Sequence, residues 1–107
     1  MSQAPHITEA ESVVMGPLWR LGPLPPARLM AEVREVQPWA DTTIKTLLGR
    51  LVQKRAVRSE KLDGVVRYWP LLERTDYVRS EVRGLLDRLF GGEPEALVAF
   101  LQSEGSR

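Results

Sequence analysis

Residues 41–70, DTTIKTLLGRLVQKRAVRSEKLDGVVRYWP, carry two periodicities in succession. Ile44, Leu47, Leu48 and Leu51 recur at i, i+3, i+4 and i+7, the spacing of one buried helix face. Thr42, Thr46, Arg50 and Gln53 fall roughly opposite, with Thr43 and Gly49 beside them. Asp41 is the best N-cap candidate, because its carboxylate can accept a free first-turn N–H. From residue 56 the period shortens. Residues 56–61 and 65–69 are short runs with β-branched and aromatic residues, and Pro70 ends the second. Asp63-Gly64 between them is a hairpin signal, since Gly accepts positive φ at little cost. The stretch reads as a helix, 42–55, followed by a two-stranded wing, 57–69.

Working upstream, Thr8-x-x-Glu11 is a capping-box pattern that opens a first helix. Val14, Leu18 and Leu21 follow at helical spacing, and Gly22-Pro23 closes the segment. Pro17 falls inside it and is expected to kink the helix or end it early, because it lacks one i→i−4 bond. Pro25-Pro26 opens a second helix with the stripe Leu29, Met30, Val33 and Val36, stopped by Pro38. Three helices and a hairpin make a winged helix-turn-helix.

Downstream, Val78, Val82, Leu85 and Leu89 step by 4, 3, 4, with Leu86 and Phe90 widening the stripe. Gly91-Gly92 stops that helix, and Pro94 opens a short last one with Leu97, Val98 and Leu101. Two helices this short do not enclose a core. They either fold back on the winged helix or pair with a second chain. Two-fold pairing is preferred, because it sets two groove-reading helices about one DNA turn apart. The pairing face would comprise Tyr77, Val78, Val82, Leu85, Leu86, Leu89, Phe90, Leu97, Val98 and Leu101. The expected fold is therefore mainly α with a small β-hairpin. A winged helix-turn-helix DNA-binding domain, 1–72, precedes a helical dimerisation segment, 73–107, with a hinge at 71–75.

The charge is uneven. The 107 residues sum to +1, yet residues 1–41 carry −2, residues 42–67 carry +5 and residues 68–107 carry −2. A solvated helix face explains such a run equally well until the layout is considered. Here the excess falls on the third helix and the wing. The outer face of that helix, with Thr42, Thr43, Thr46 and Arg50, holds no acid and no bulky apolar residue, which suits the major groove. Arg58, Lys61 and Arg67 surround the Asp-Gly turn, where cations can follow a DNA backbone or minor groove. Lys54 and Arg55 serve either a phosphate or the helix C-terminal dipole. Trp19, Tyr68 and Trp69 read as core, and Trp39 either way.

Enzyme chemistry finds no parts. There is no Cys and one His, so thiolate sites, His-based metal sites and catalytic triads are excluded, and no cofactor motif occurs. Glu9/Glu11, Glu32/Glu35 and Glu93/Glu95 read as solvated or first-turn helix charges. The longest apolar run is six residues, 96–101, and the opening MSQAPH lacks a signal-peptide layout. The expectation is a cytoplasmic, non-enzymatic chain with no membrane partner. A protein-interaction module that does not bind DNA is the alternative from another class.

The residues Ile7-Thr8-Glu9-Ala10-Glu11, Val14-Met15 and Leu18-Trp19 resemble the opening of the penicillinase-repressor family (BlaI/MecI/CopY). Residues 43–51, TIKTLLGRL, are similar to its recognition helix. Residues 65–70 are similar to its second wing strand, and 89–92 to the end of its first dimerisation helix. The resemblance implies a dimeric repressor of a palindromic double-stranded DNA operator, controlling antibiotic-resistance or stress genes. It implies groove contacts from Thr42, Thr43, Thr46 and Arg50, and wing contacts from Lys61 and Arg67. A sensor protease is an implied partner, and the bond it would cut corresponds here to Ala99-Phe100. Release by proteolysis, by a ligand or by a partner stays open. The metal-sensing branch carries a C-terminal Cys cluster that this sequence lacks.

Overall fold

Thr8 starts the first element in the computed structural model, which describes residues 4–105. Residues 1–3, part of the opening read above for a leader, and residues 106–107 lie outside the described residues. The Thr8 hydroxyl accepts the Glu11 N–H at 3.1 Å, and the Glu11 carboxylate accepts the Thr8 N–H at 2.8 Å. This closes the capping box that begins α1, Glu9–Leu21. Pro17 does not end α1 early: the helix runs on for another turn to Leu21. A mid-helix proline costs about 3 kcal/mol. Val14, Met15 and Leu18 are fully buried, each contributing roughly 1.5–3 kcal/mol, and their sum exceeds that cost. Leu21, expected on the stripe, is exposed.

Gly22, at φ 84°, turns the chain out of α1. Leu24 then exchanges two backbone hydrogen bonds with Tyr68, a one-residue third strand beside the wing that periodicity did not reveal. Helix α2, Pro26–Arg34, buries Leu29 and Val33. It ends four residues before Pro38, so Val36 lies past its end and is exposed. Helix α3, Asp41–Gln53, buries Ile44, Leu47, Leu48 and Leu51, the spacing read from the sequence.

Strands β1, Val57–Leu62, and β2, Val65–Pro70, pair antiparallel with Leu62 opposite Val65. That register leaves a two-residue loop, Asp63-Gly64, with φ of 53° and 80°. Both central residues are left-handed, as a type I′ turn requires. The N–H groups of Leu71 and Leu72 donate to the Ala56 carbonyl, and Trp19 Nε1 donates to the Leu72 carbonyl at 2.7 Å. These bonds tie the end of the wing to α1. The architecture is a winged helix-turn-helix.

The chain divides into two compact units between Arg74 and Thr75. The second unit holds the body of α4, Arg74–Leu89, and α5, Pro94–Gly105. Gly91 and Gly92, at φ 58° and 78°, terminate α4, and the Phe90 and Gly92 N–H groups both donate to the Leu86 carbonyl. The rings of Phe90 and Phe100 meet at 5.9 Å between centroids, linking α4 to α5.

Candidate nucleic-acid interface

The buried stripe of α3 decides which way its other residues point. With Ile44, Leu47, Leu48 and Leu51 inside, Thr42, Thr43, Thr46, Gly49, Arg50 and Gln53 are all exposed. The Thr46 hydroxyl donates to the Thr42 carbonyl at 2.9 Å, so it is held close to the helix. Nothing lies within 4 Å of the Cβ position of Gly49, so no packing within the protein demands glycine there. The face is slim, polar and free of acids, the surface a helix needs to enter the major groove.

The ends of α3 differ from the sequence expectation. Ala40, not Asp41, is the N-cap, and no side chain caps the helix there. Asp41 occupies the first turn instead, where its charge favours the helix dipole, and pairs with Arg34 at the end of α2. At the other end Lys54 is the C-cap. The Arg55 N–H donates to the Val52 carbonyl at 3.0 Å and the Ala56 N–H to the Leu51 carbonyl at 2.9 Å, a Schellman pattern. Its left-handed position is filled by Arg55, at φ 64°, rather than by glycine.

Lys54 does not point to solvent with the other cations. Its Nζ lies 2.6 Å from Oε1 of Glu11, a side chain only 1% exposed. Burial pushes the Glu11 carboxyl up. The Lys54 hydrogen bond, the Thr8 N–H and the Lys54 charge outweigh it, and hold the carboxyl below the usual carboxylate range. Glu11 was read from sequence as a capping and helix-end charge; its ionic partner 43 residues away carried no sequence signal.

The register of the wing sorts its cations. Arg58 opposite Trp69 and Glu60 opposite Arg67 share one face; Lys61 opposite Val66 and Ser59 opposite Tyr68 share the other. Arg58 stacks on Trp69 at 5.3 Å and pairs with Glu60 at 3.0 Å. Trp69 is therefore half-buried under a cation rather than a core residue, and Tyr68 is half-buried beside Leu24. A shallow cleft of about 500 Å³, lined by Pro23, Leu62, Asp63, Val65, Arg67 and Trp69, lies on the Arg58 face. Arg67 and Lys61 are both exposed, but on opposite faces of the ribbon. Among the described residues neither they nor Arg50 enter an ion pair.

In the second unit Val78, Val82 and Leu89 on α4 and Val98 and Leu101 on α5 are exposed, and Tyr77, Leu85, Phe90 and Leu97 are half-buried. Leu86 alone of the set is buried. Ala99 and Phe100 are exposed within α5. Among the described residues no cluster of His, Cys, Asp or Glu can hold a metal ion. No helix there is long and apolar enough to cross a membrane.

Known proteins align with this geometry. The penicillinase repressor of Bacillus licheniformis is 29% identical over 105 residues, covering 97% of this chain and 82% of that one. The methicillin resistance regulatory protein MecI of Staphylococcus aureus is 25% identical over 100 residues, covering 92% and 81%. Two solution structures superpose on the fold. One is the DNA-binding domain of the repressor BlaI, at TM-score 0.62. The other is monomeric Bacillus licheniformis BlaI in complex with the blaP half-operator, at TM-score 0.63. Each is 31% identical and covers 72% of this chain and 94% of that one. A family model, penicillinase repressor, matches residues 7–106, from the residue before the α1 cap to beyond α5. The winged helix and the helical tail lie within one match, and the chain belongs to the penicillinase-repressor family.

Proposed function

We propose that the chain is a homodimeric transcriptional repressor that binds a palindromic operator in double-stranded DNA. Residues 1–72 would carry the DNA contacts and residues 73–107 the dimer contacts. The observation that carries the reading is the exposed acid-free face of α3, with Thr42, Thr43, Thr46 and Arg50, beside a wing that displays Arg58, Lys61 and Arg67. A related domain of the same fold has been solved on a half-operator, which supports the direction of that face. On this reading Arg50 forks onto a guanine or clamps a phosphate, and the threonines touch base edges, thymine methyls or phosphates. Repression is steric: the operator overlaps a promoter, and antibiotic-resistance or stress genes are the expected targets. Action on DNA places the protein in the cytoplasm.

Dimerisation rests on α4 and α5. Val78, Val82, Leu89, Val98 and Leu101 leave apolar surface in water that a two-fold copy would cover. A sensor protease is a candidate partner for release. The Ala99-Phe100 bond lies inside a helix, so cutting there requires α5 to open first, because helical backbone does not fit an extended protease cleft.

Titration with operator duplex across a salt series tests the reading. About four phosphates neutralised per protomer give a log–log slope of about −7 for a dimer, from roughly −0.9 per phosphate. Binding that does not weaken from low to moderate salt would favour the protein-interaction module instead. Arg50→Ala is expected to cost about 1–3 kcal/mol of operator affinity while the fold is retained. Equal affinity of the two proteins removes Arg50 from the interface.

A further inference from the structure

The +5 segment contains one cation, Lys54, that pairs with a buried carboxylate. We propose that Glu11 is a positioning residue for the recognition helix α3, and that Lys54 is its counter-ion rather than a phosphate ligand. This rests on the DNA-binding reading and removes one residue from it.

The geometry makes Lys54 expensive to move. Glu11 is 1% exposed, and its Oε1 receives both Lys54 Nζ at 2.6 Å and the Thr8 N–H at 2.8 Å. Its Oε2 is buried with no hydrogen-bond partner among the described residues. If Lys54 turned toward a phosphate, the buried carboxylate would keep only the Thr8 N–H, and unpaired buried charge is strongly unfavourable. The exposed Lys45 and Arg50 face no such penalty. The backbone that carries Lys54 is also fixed. The Schellman bonds hold Arg55 and Ala56, and the Ala56 carbonyl accepts from Leu71 and Leu72. The pair therefore joins the first turn of α1 to the last turn of α3, while Arg34–Asp41 joins α2 to its first turn. The Arg34–Asp41 pair is exposed and worth little, so of the two ion pairs the buried one is able to fix the tilt of α3 on its packed stripe of Ile44, Leu47, Leu48 and Leu51.

The test measures salt slopes on one selected operator duplex, well below the melting midpoint of every variant. Lys54→Met is expected to keep the wild-type slope and to bind about threefold or more weakly, because the Glu11 carboxylate left buried without its counter-ion displaces the end of α3. The double variant Glu11→Gln/Lys54→Met, which buries no charge, is expected to keep the slope and recover most of the affinity. A slope shallower by about 0.9 per protomer in Lys54→Met makes Lys54 a phosphate ligand and overturns the proposal. Unchanged affinity in Lys54→Met, or no recovery in the double variant, overturns the positioning role. If Lys54→Met fails to fold, the double variant carries the same slope comparison. A flat wild-type slope is a different failure: it removes the DNA reading itself.

Discussion

The two units treat apolar side chains in opposite ways. Among the described residues, every buried apolar side chain except Leu86 belongs to the unit that ends at Arg74. There three helices and a hairpin cover one another, and Ile7, Val14, Leu29, Val33, Ile44 and Leu51 are out of water. The second unit has two helices with as regular an apolar pattern, yet Val82, Leu89, Val98 and Leu101 stay exposed. Periodicity places a residue on a face; only a partner element buries it. A fold that closes on itself owes its stability to its own contacts. On the dimer proposal, a helical pair that does not close would owe part of its stability to protein concentration.

The sharpest contrast comes from changing one leucine in each unit. Leu51→Ala removes a fully buried side chain and is expected to cost about 2–5 kcal/mol, shifting the urea midpoint at every protein concentration. Leu89→Asp alters a residue that is 60% exposed, so it should leave the first unit's core intact. Its expected effect is on assembly: a dimer about tenfold weaker or more, read by sedimentation across a dilution series. Unchanged assembly in Leu89→Asp would break the comparison, because the exposed tail would then not be the dimer face.

A smaller effect separates the units by pH. Glu11 titrates below the usual carboxylate range in the folded protein. A carboxyl depressed on folding stabilises above its unfolded value, and that stability is lost as pH falls through the folded one. Glu11→Gln is expected to cost about 1–2 kcal/mol near neutrality, less than a fully buried pair because Lys54 keeps 34% of its side chain in water. The gap between wild type and variant should narrow in acid, once the wild-type carboxyl is protonated too. A gap independent of pH would mean that Glu11 contributes shape rather than charge. Urea titrations at a series of pH values give both numbers.

These residues also mark how far the sequence is legible. The α3 stripe and the Asp63-Gly64 turn could be read because their causes are local, within one turn of helix or two residues of chain. The exposed Thr42, Thr43, Thr46 and Arg50 followed, since a buried face dictates its opposite. Three features were not legible, for three reasons. Pro17 stays in α1 because burial of its neighbours outweighs a local penalty, and that balance is tertiary. Asp41 sits in the first turn and pairs with Arg34, a contact across the bend between α2 and α3 that local spacing does not show. Lys54 faces Glu11 across 43 residues, where no spacing rule operates. Sequence therefore predicted which face of α3 is exposed better than the contacts that orient the helix.

The helix ends give the finest version of the comparison. Helix α4 leaves its last turn through Gly91 and Gly92, both at positive φ, where glycine is unstrained. Helix α3 ends in the same handedness through Arg55, at φ 64°, and a Cβ in that region costs of order 1 kcal/mol. The side chain is exposed and enters no ion pair among the described residues, so no side-chain pairing there offsets the strain. Arg55→Gly is expected to stabilise the first unit by about 0.5–1 kcal/mol, the relief of strain being reduced by the greater unfolded freedom of glycine. Gly91→Arg, placing the same side chain at φ 58° in the second unit, should destabilise by a similar amount. Urea midpoints of both variants decide it. If Arg55→Gly is neutral or destabilising, Arg55 makes a compensating contact in the folded state. If it stabilises the fold while making the salt slope on operator DNA shallower, the strain is held at a cation that meets phosphate, beside a Lys54 that pairs with Glu11.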